Sequence, residues 1–392
     1  MTIGGSDAAT ELAALDPWRE AAAPIAPEEH RARMARAQER LGVLGADALL
    51  VNAGPSLRYF TGVPWGATER LVALLLPATG APRLICPRFE LGSLTAALAI
   101  DADVLAWEED EDPVALVLDD VPLGATLALD PLLPFAVAAK LGTRVRVVDG
   151  AAAIDPLRAV KSPAELALMA QAKAMTLEVH RRAARILAPG IRASEVARFI
   201  DAAHRALGAA GSTFCAVQFG RATAFPHGLP GDQILREDEL VLIDTGCTVE
   251  GYHSDITRTY AFGRVEDEVR VIWAVEQEAQ AAAFAAVRPG VPCAAIDDAA
   301  RAVLQRAGLG PDYRLPGLPH RTGHGIGLAI HEPPYLVRGD ATLLAPGMCF
   351  SNEPMIVVPD RFGVRLEDHF HVTADGARWF TAPQPAIDRP FA

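Results

Sequence analysis

Short apolar runs alternate with longer amphipathic segments through the first part of the chain. Ala48–Asn52, Leu71–Leu76, Thr126–Leu129 and Arg144–Val148 read as strands, and Phe89–Leu98 and Phe135–Leu141 as helices. Pro27 opens a helical pattern that runs to Leu41, where Gly42 closes it. This alternation predicts an α/β domain over residues 26–160. Residues 1–25 contain Ala and Pro, are lightly acidic and predict a poorly ordered tail.

A second domain over residues 161–392 begins at Ser162-Pro163-Ala164-Glu165, a capping box with proline at the first helical position. The helix it starts runs to about Leu187, before Pro189-Gly190. Further helices at about 195–208, 265–287 and 294–307 alternate with strand patterns. Leu240-Val241-Leu242-Ile243 reads as a buried strand. Val364–Thr373 alternates as one strand, with Arg365, Glu367, His369 and His371 on one face and Leu366, Phe370 and Val372 on the other. Asp368 interrupts the apolar face.

Composition narrows the class. Of the 392 residues, 51% are hydrophobic and 22% charged, an ordinary globular balance. A net charge of −13 argues against nucleic acid or an anionic membrane as partner. The five cysteines, with no CxxC, argue against a disulfide framework. The start of the chain lacks the basic and apolar parts of a signal peptide, and no apolar run is long enough to span a bilayer. A cytoplasmic protein is expected.

The chemistry lies in the last two-fifths of the chain. Asp244 in VLIDTG, Asp255 in HSDITRT, His324 in HRTGHGIG, Glu353 in SNEPM and Glu367 in VRLED each sit in an apolar stretch or Gly-rich turn, where a charge is costly without a partner. Together they form an oxygen-rich donor set without thiolate. That set suits manganese, cobalt or a catalytic zinc rather than a structural zinc. Two divalent cations roughly 3.5–4 Å apart share carboxylates and acidify a water between them, the chemistry of a hydrolase. A hairpin turning at Glu250-Gly251 would bring Asp244 and Asp255 close. Interleaved glycines make the His320–His324 segment extended rather than helical. Pro333-Pro334 after His331-Glu332 excludes an HExxH helix.

VLIDTG, HSDITRT, HRTGHGIGLAIHE, SNEP and GVRLED resemble, in order, the five motifs of the pita-bread metallopeptidases, the creatinase/prolidase family. SLRYFTGV at 56–63 and LRAVKSPAEL at 157–166 resemble that family's N-terminal domain and linker helix. The resemblance implies a creatinase-like α/β N-terminal domain and an α+β pita-bread catalytic domain. It implies Asp244, Asp255, His324, Glu353 and Glu367 as ligands of two divalent ions, manganese first, cobalt or zinc otherwise. Glu353 matches the family's proton shuttle. His227 in FPHG matches a histidine near the leaving group, and His331 one that bonds the tetrahedral intermediate or substrate. His320 resembles a further pocket histidine. Arg365 would neutralise carboxylate charge or bind a substrate carboxylate, and Arg338 is a weaker candidate for that carboxylate.

The activity implied is hydrolysis of the bond before proline in Xaa-Pro dipeptides. The alternatives are an Xaa-Pro aminopeptidase acting on longer peptides, an amidohydrolase such as an ectoine hydrolase, or a non-catalytic binding module. The resemblance also implies a homodimer. Two departures from the family pattern bear on the substrate pocket and the site: Met355 replaces a small residue after Glu353-Pro354, and His369 lies on the ligand face of the last strand.

Overall fold

The computed structural model describes residues 3–391. Pro24–Arg158 forms one compact unit, and the chain up to Ala23 joins the chain from Ala159 onward in the other. The Pro24–Arg158 unit is built on a six-stranded mixed sheet. Its strand order is Asp103–Trp107, Arg83–Pro87, Ala73–Pro77, Ala48–Asn52, Thr126–Leu129, Arg146–Asp149. Leu50, Leu75, Ile85, Trp107 and Leu127 share a buried cluster with Val117 and Leu141 of the helices Pro113–Asp120 and Phe135–Leu141.

Two expectations for the first 160 residues are corrected and two strands are added. The helix from Pro27 continues through Gly42 to Leu44; Gly45 closes it, because Gly45 takes the left-handed conformation (φ 65°, ψ 32°) that ends helices. The strands Arg83–Pro87 and Asp103–Trp107 are additional, short segments hidden by flanking prolines and an acidic neighbour. The start of the chain carries a helix, Ala8–Ala13, rather than a tail. Asp7 caps it by accepting from Thr10 N at 2.9 Å, and buried Glu11 pairs with Arg182 at 3.1 Å and Arg185 at 3.0 Å. Those two arginines give the segment an anchor that its own composition does not show.

The second unit repeats one plan twice: a pair of helices covering strands. Pro163–Arg185, started by the Ser162/Glu165 capping box, and Ala193–Ala206 cover the sheet Ile256–Phe262, Glu239–Gly246, Phe214–Phe219. Val196, Phe199, Ile200 and Ala203 form the buried stripe of the second helix, at the spacing of one helical face. Asp267–Ala286 and Cys293–Arg306 cover the five-stranded sheet Glu332–Leu336, Gly323–Gly325, Cys349–Asn352, Asp368–Val372, Ala377–Trp379 and the ribbon Met355–Val358/Phe362–Arg365. This is the pita-bread arrangement. Among the described residues, no helix is long and apolar enough to cross a membrane.

The single strand expected over Val364–Thr373 is two strands. Phe362–Arg365 pairs with Met355–Val358, and Asp368–Val372 with Cys349–Asn352. The chain changes sheets at Leu366-Glu367, where Glu367 N donates to Thr257 O at 3.1 Å. Asp368 tolerates the apolar side because Arg258 Nη2 donates to its Oδ1 at 2.6 Å, both side chains being fully buried. Removing one member of such a pair strands the other charge. Asp368→Leu is therefore expected to cost about 3–5 kcal/mol in urea unfolding, more than the loss expected for Arg258→Met/Asp368→Leu together.

Two buried histidines make the fold acid-sensitive. His180 Nε2 donates to Ile256 O at 2.9 Å, and burial pushes its pKa down to about 3. Burial likewise holds His204 down, to about 4. Both fold as neutral rings, whereas the unfolded chain takes up protons near pH 6.5. Their contribution is complete above that pH and declines as pH falls toward the folded values. Relative to His180→Gln, the wild-type protein should lose about 2 kcal/mol of stability between pH 7 and pH 5, measured by urea titration at both values. Parallel losses in the two proteins would contradict the assignment.

Candidate metal centre

The backbone brings the five donors together from two sheets. In the first, Glu239–Gly246 pairs antiparallel with Ile256–Phe262 so that Thr257 lies opposite Asp244; Asp255 immediately precedes the second strand. The intervening ribbon turns at Glu250-Gly251, as the sequence predicts. In the second, His324 occupies the middle of Gly323–Gly325, and Glu353 follows Cys349–Asn352. Gly323 and Gly325 permit this approach: a Cβ at the first would collide with the Ser351 carbonyl, and at the second with that of Glu332. Glu367 sits where the chain crosses between sheets.

Asp244, Asp255, Glu353 and Glu367 line a cavity of about 750 Å³. His324 Nε2 lies 3.1 Å from Glu353 Oε1 and 3.8 Å from Asp255 Oδ2. The donor atoms of His324, Glu353 and Glu367 fall within 4.8 Å of one another, as do those of Asp255, Glu367 and His369. Among the described residues, His324 Nε2, Asp244 Oδ1, Asp255 Oδ1 and Glu367 Oε1 are buried without a hydrogen-bond partner; His324 and Glu353 are close but not aligned to bond. Convergent, buried, unsatisfied lone pairs fit a cation site.

Electrostatics agrees. Burial, and then the neighbouring carboxylates, push Asp255 and Glu367 well above the usual carboxyl range. Burial also raises Asp244, opposed by Arg365, whose Nη2 donates to Asp244 Oδ2 at 2.5 Å. Glu353 goes the other way. Burial would raise it, but the adjacent His324, with His320 and Arg365 beyond, lowers it. Thr257 links the halves: its hydroxyl donates to Glu367 Oε2 at 2.8 Å and accepts from Arg365 Nε at 3.0 Å.

The other expected residues divide into three groups. His227 and His331 stand on the cavity wall with exposed surface; the His331 ring centroid is 4.1 Å from that of His324, and the partial burial of that ring, then His324 and Arg321, lower its pKa to about 4. His320 also lines the cavity, with Nδ1 donating to Arg321 O at 2.7 Å. Arg365 lines it too, with its guanidinium already bonded to Asp244. Arg338 is the correction. It is absent from the lining of that cavity and half-exposed, pairing with Asp312 at 2.7 Å. Glu332 is no donor to the centre; Lys161 Nζ bonds it at 2.5 Å.

Sequence reasoning missed Arg321, Tyr313 and Phe214 in the cavity wall. Arg321 was detectable as the cation inside HRTGHGIG. Its guanidinium lies 4.4 Å above the Tyr335 ring, which steadies it without consuming its donors. Tyr313 and Phe214 carried no motif. Asp297 likewise carries no motif in the sequence; it accepts from Thr322 N at 3.1 Å and Thr322 Oγ1 at 2.7 Å, bracing the start of the glycine segment.

Fold and donor set together define a two-domain metallohydrolase. Residues 167–374 match the metallopeptidase family M24 and residues 33–160 the creatinase/prolidase N-terminal domain. The chain belongs to the M24 metallopeptidases. It is 41% identical over 361 residues to a protein of Mycobacterium tuberculosis H37Rv described as a probable dipeptidase, PepE, with 89% of this chain and 94% of the relative covered. The crystal structure of dipeptidase PepE from Mycobacterium ulcerans is similar, with a TM-score of 0.84 and 37% identity over 92% of this chain and 97% of that one. The prolidase from Thermococcus sibiricus has a TM-score of 0.83 and 29% identity, covering 90% and 97%.

If the carboxylates repel without cations, removing one should help the metal-stripped protein. Asp255→Asn is expected to unfold at a higher temperature than wild type in chelator and at a lower one with Mn²⁺ added. A variant less stable in both conditions would contradict this, as thermal unfolding with each protein would show.

Proposed function

We propose that the protein hydrolyses the peptide bond before proline in Xaa-Pro dipeptides. Asp244, Asp255, His324, Glu353 and Glu367 hold two divalent cations in this reading, manganese first. When bound, the cations supply Lewis-acid polarisation of the scissile carbonyl and acidification of the attacking water. Glu353 accepts the proton of that water and passes it to the leaving amine. His331, neutral at pH 7, presents a ring nitrogen to the intermediate from the wall of the cavity. His227 faces the leaving group, with His320 beside it. Arg365 stabilises the carboxylate cluster through Asp244.

The observation that carries proline specificity is the composition of the cavity wall. Phe214, Pro226, Tyr313, Pro319 and Ile330 form its apolar part, and the two prolines offer no backbone N–H. An imide nitrogen has no proton to donate, so an apolar slot accepts proline where an ordinary amide would lose a hydrogen bond. Arg321 provides the cation for the dipeptide's terminal carboxylate, a role for which Arg365 and, more weakly, Arg338 were the expected candidates. The relatives named as dipeptidase and prolidase support the same reading.

One feature favours longer peptides as the second reading. A neighbouring cavity of about 400 Å³ shares His227 with the first. A length series separates the two. The dipeptidase reading expects Ala-Pro to be cleaved with higher kcat/KM than Ala-Pro-Ala and longer peptides, and Ala-Ala to be poor. Arg321→Met should raise KM for Ala-Pro by about 10-fold or more, the loss of about 1.5–3 kcal/mol for a charged hydrogen bond. Preference for Ala-Pro-Ala, with Arg321→Met neutral, would favour the aminopeptidase. Absence of hydrolysis of any Xaa-Pro peptide with Mn²⁺ present would sink both.

A further inference from the structure

His369 is a buried group that the chemistry above leaves unused. It lies on Asp368–Val372, opposite Ser351 of Cys349–Asn352, with no exposed surface. Neither ring nitrogen has a hydrogen-bond partner among the described residues. Its cross-strand neighbour Ser351 and the nearby Lys173 are otherwise engaged. Ser351 Oγ accepts from His324 N at 2.9 Å and donates to Glu353 Oε1 at 3.2 Å. Lys173 Nζ donates to His253 O at 2.9 Å and sits 4.8 Å over the Phe380 ring. An imidazole with both nitrogens dry and unsatisfied is costly.

We propose that His369 is a sixth protein ligand of the metal centre, supplying an imidazole nitrogen to the cation that Asp255 and Glu367 hold. The inference rests on the site being a metal centre. Its own support is geometric. His369 Nε2 is 3.8 Å from Glu367 Oε1, itself without a partner. That is too far for a hydrogen bond. It is within reach of one shared ion, since two atoms each about 2.0–2.2 Å from a cation lie no more than ~4.4 Å apart. The same 3.8 Å separates His324 Nε2 from Asp255 Oδ2 on the other side of the cluster. Asp255, Glu367 and His369 thus form a second donor group beside His324, Glu353 and Glu367, with Glu367 common to both.

The consequence is chemical selectivity. A carboxylate-rich set with one imidazole suits manganese; a second imidazole shifts preference toward cobalt and zinc. Each half of the centre would then carry one nitrogen donor.

Two measurements on the full chain test this. The first is a crystal structure of wild-type protein loaded with Co²⁺, with the ions located by cobalt anomalous scattering. The expected result is His369 Nε2 at about 2.0–2.2 Å from one cobalt. The second is metal-competition dialysis of wild type and His369→Phe against mixed Mn²⁺ and Co²⁺. The variant should lose about 10-fold or more of the Co²⁺ preference at one of two sites. Two cobalt ions bound with His369 pointing its N–H at Glu367 would overturn the proposal while leaving the metallohydrolase intact. Unchanged selectivity in a folded His369→Phe would do the same. No cobalt in the cavity would overturn both this inference and the function on which it rests.

Discussion

Four carboxylates meet in one cavity wall of this protein, and their mutual repulsion is the constraint around which the second unit is organised. Arg365 reaches Asp244 and, among the described residues, no arginine or lysine bonds the other three. Burial makes this worse, since it disfavours every charged form, and Asp255 and Glu367 respond by holding protons more tightly than exposed acids do. Natural interiors tolerate such a cluster where divalent cations take the place of the missing positive charge. Hydrolytic chemistry then follows from the same charges that the fold must neutralise.

The architecture makes the convergence possible. The two sheets meet where one polypeptide segment, Leu366-Glu367, leaves the ribbon and enters the five-stranded sheet. Glu367 therefore stands within reach of donors from both sides. Thr257, fixed opposite Asp244 by strand pairing, ties that crossing to the first sheet. Glycines at 323 and 325 let the His324 strand approach its neighbours more closely than any side chain allows. Buried ion pairs sit just outside, Arg258 with Asp368 and Lys161 with Glu332, and hold the crossing and the glycine segment in place.

Much of this was legible in the sequence. A candidate donor announces itself when a charge interrupts an apolar run, as Asp244 does after Leu240-Val241-Leu242-Ile243, or when a histidine sits among glycines, as His324 does. The capping box at Ser162 and the extended reading of the glycine-interleaved segment rest on local chemistry, which needs no tertiary information. What stayed hidden depends on distant partners. The helix at Ala8–Ala13 is secured by Arg182 and Arg185, over 170 residues away, roughly the span between Glu11 and its partners. The break at Leu366-Glu367 is invisible to a period-two pattern because both strands keep the alternation. Sequence reasoning weighs Arg338 for a substrate carboxylate and not Arg321; the Asp312 pairing and the cavity wall reverse that order.

The central claim is that the cluster persists because cations compensate it. Equilibrium dialysis of chelator-stripped protein against Mn²⁺, with metal counted per chain by elemental analysis, tests it directly. The account predicts saturation at two ions per chain. Saturation below one ion per chain, in protein that remains folded, would contradict it.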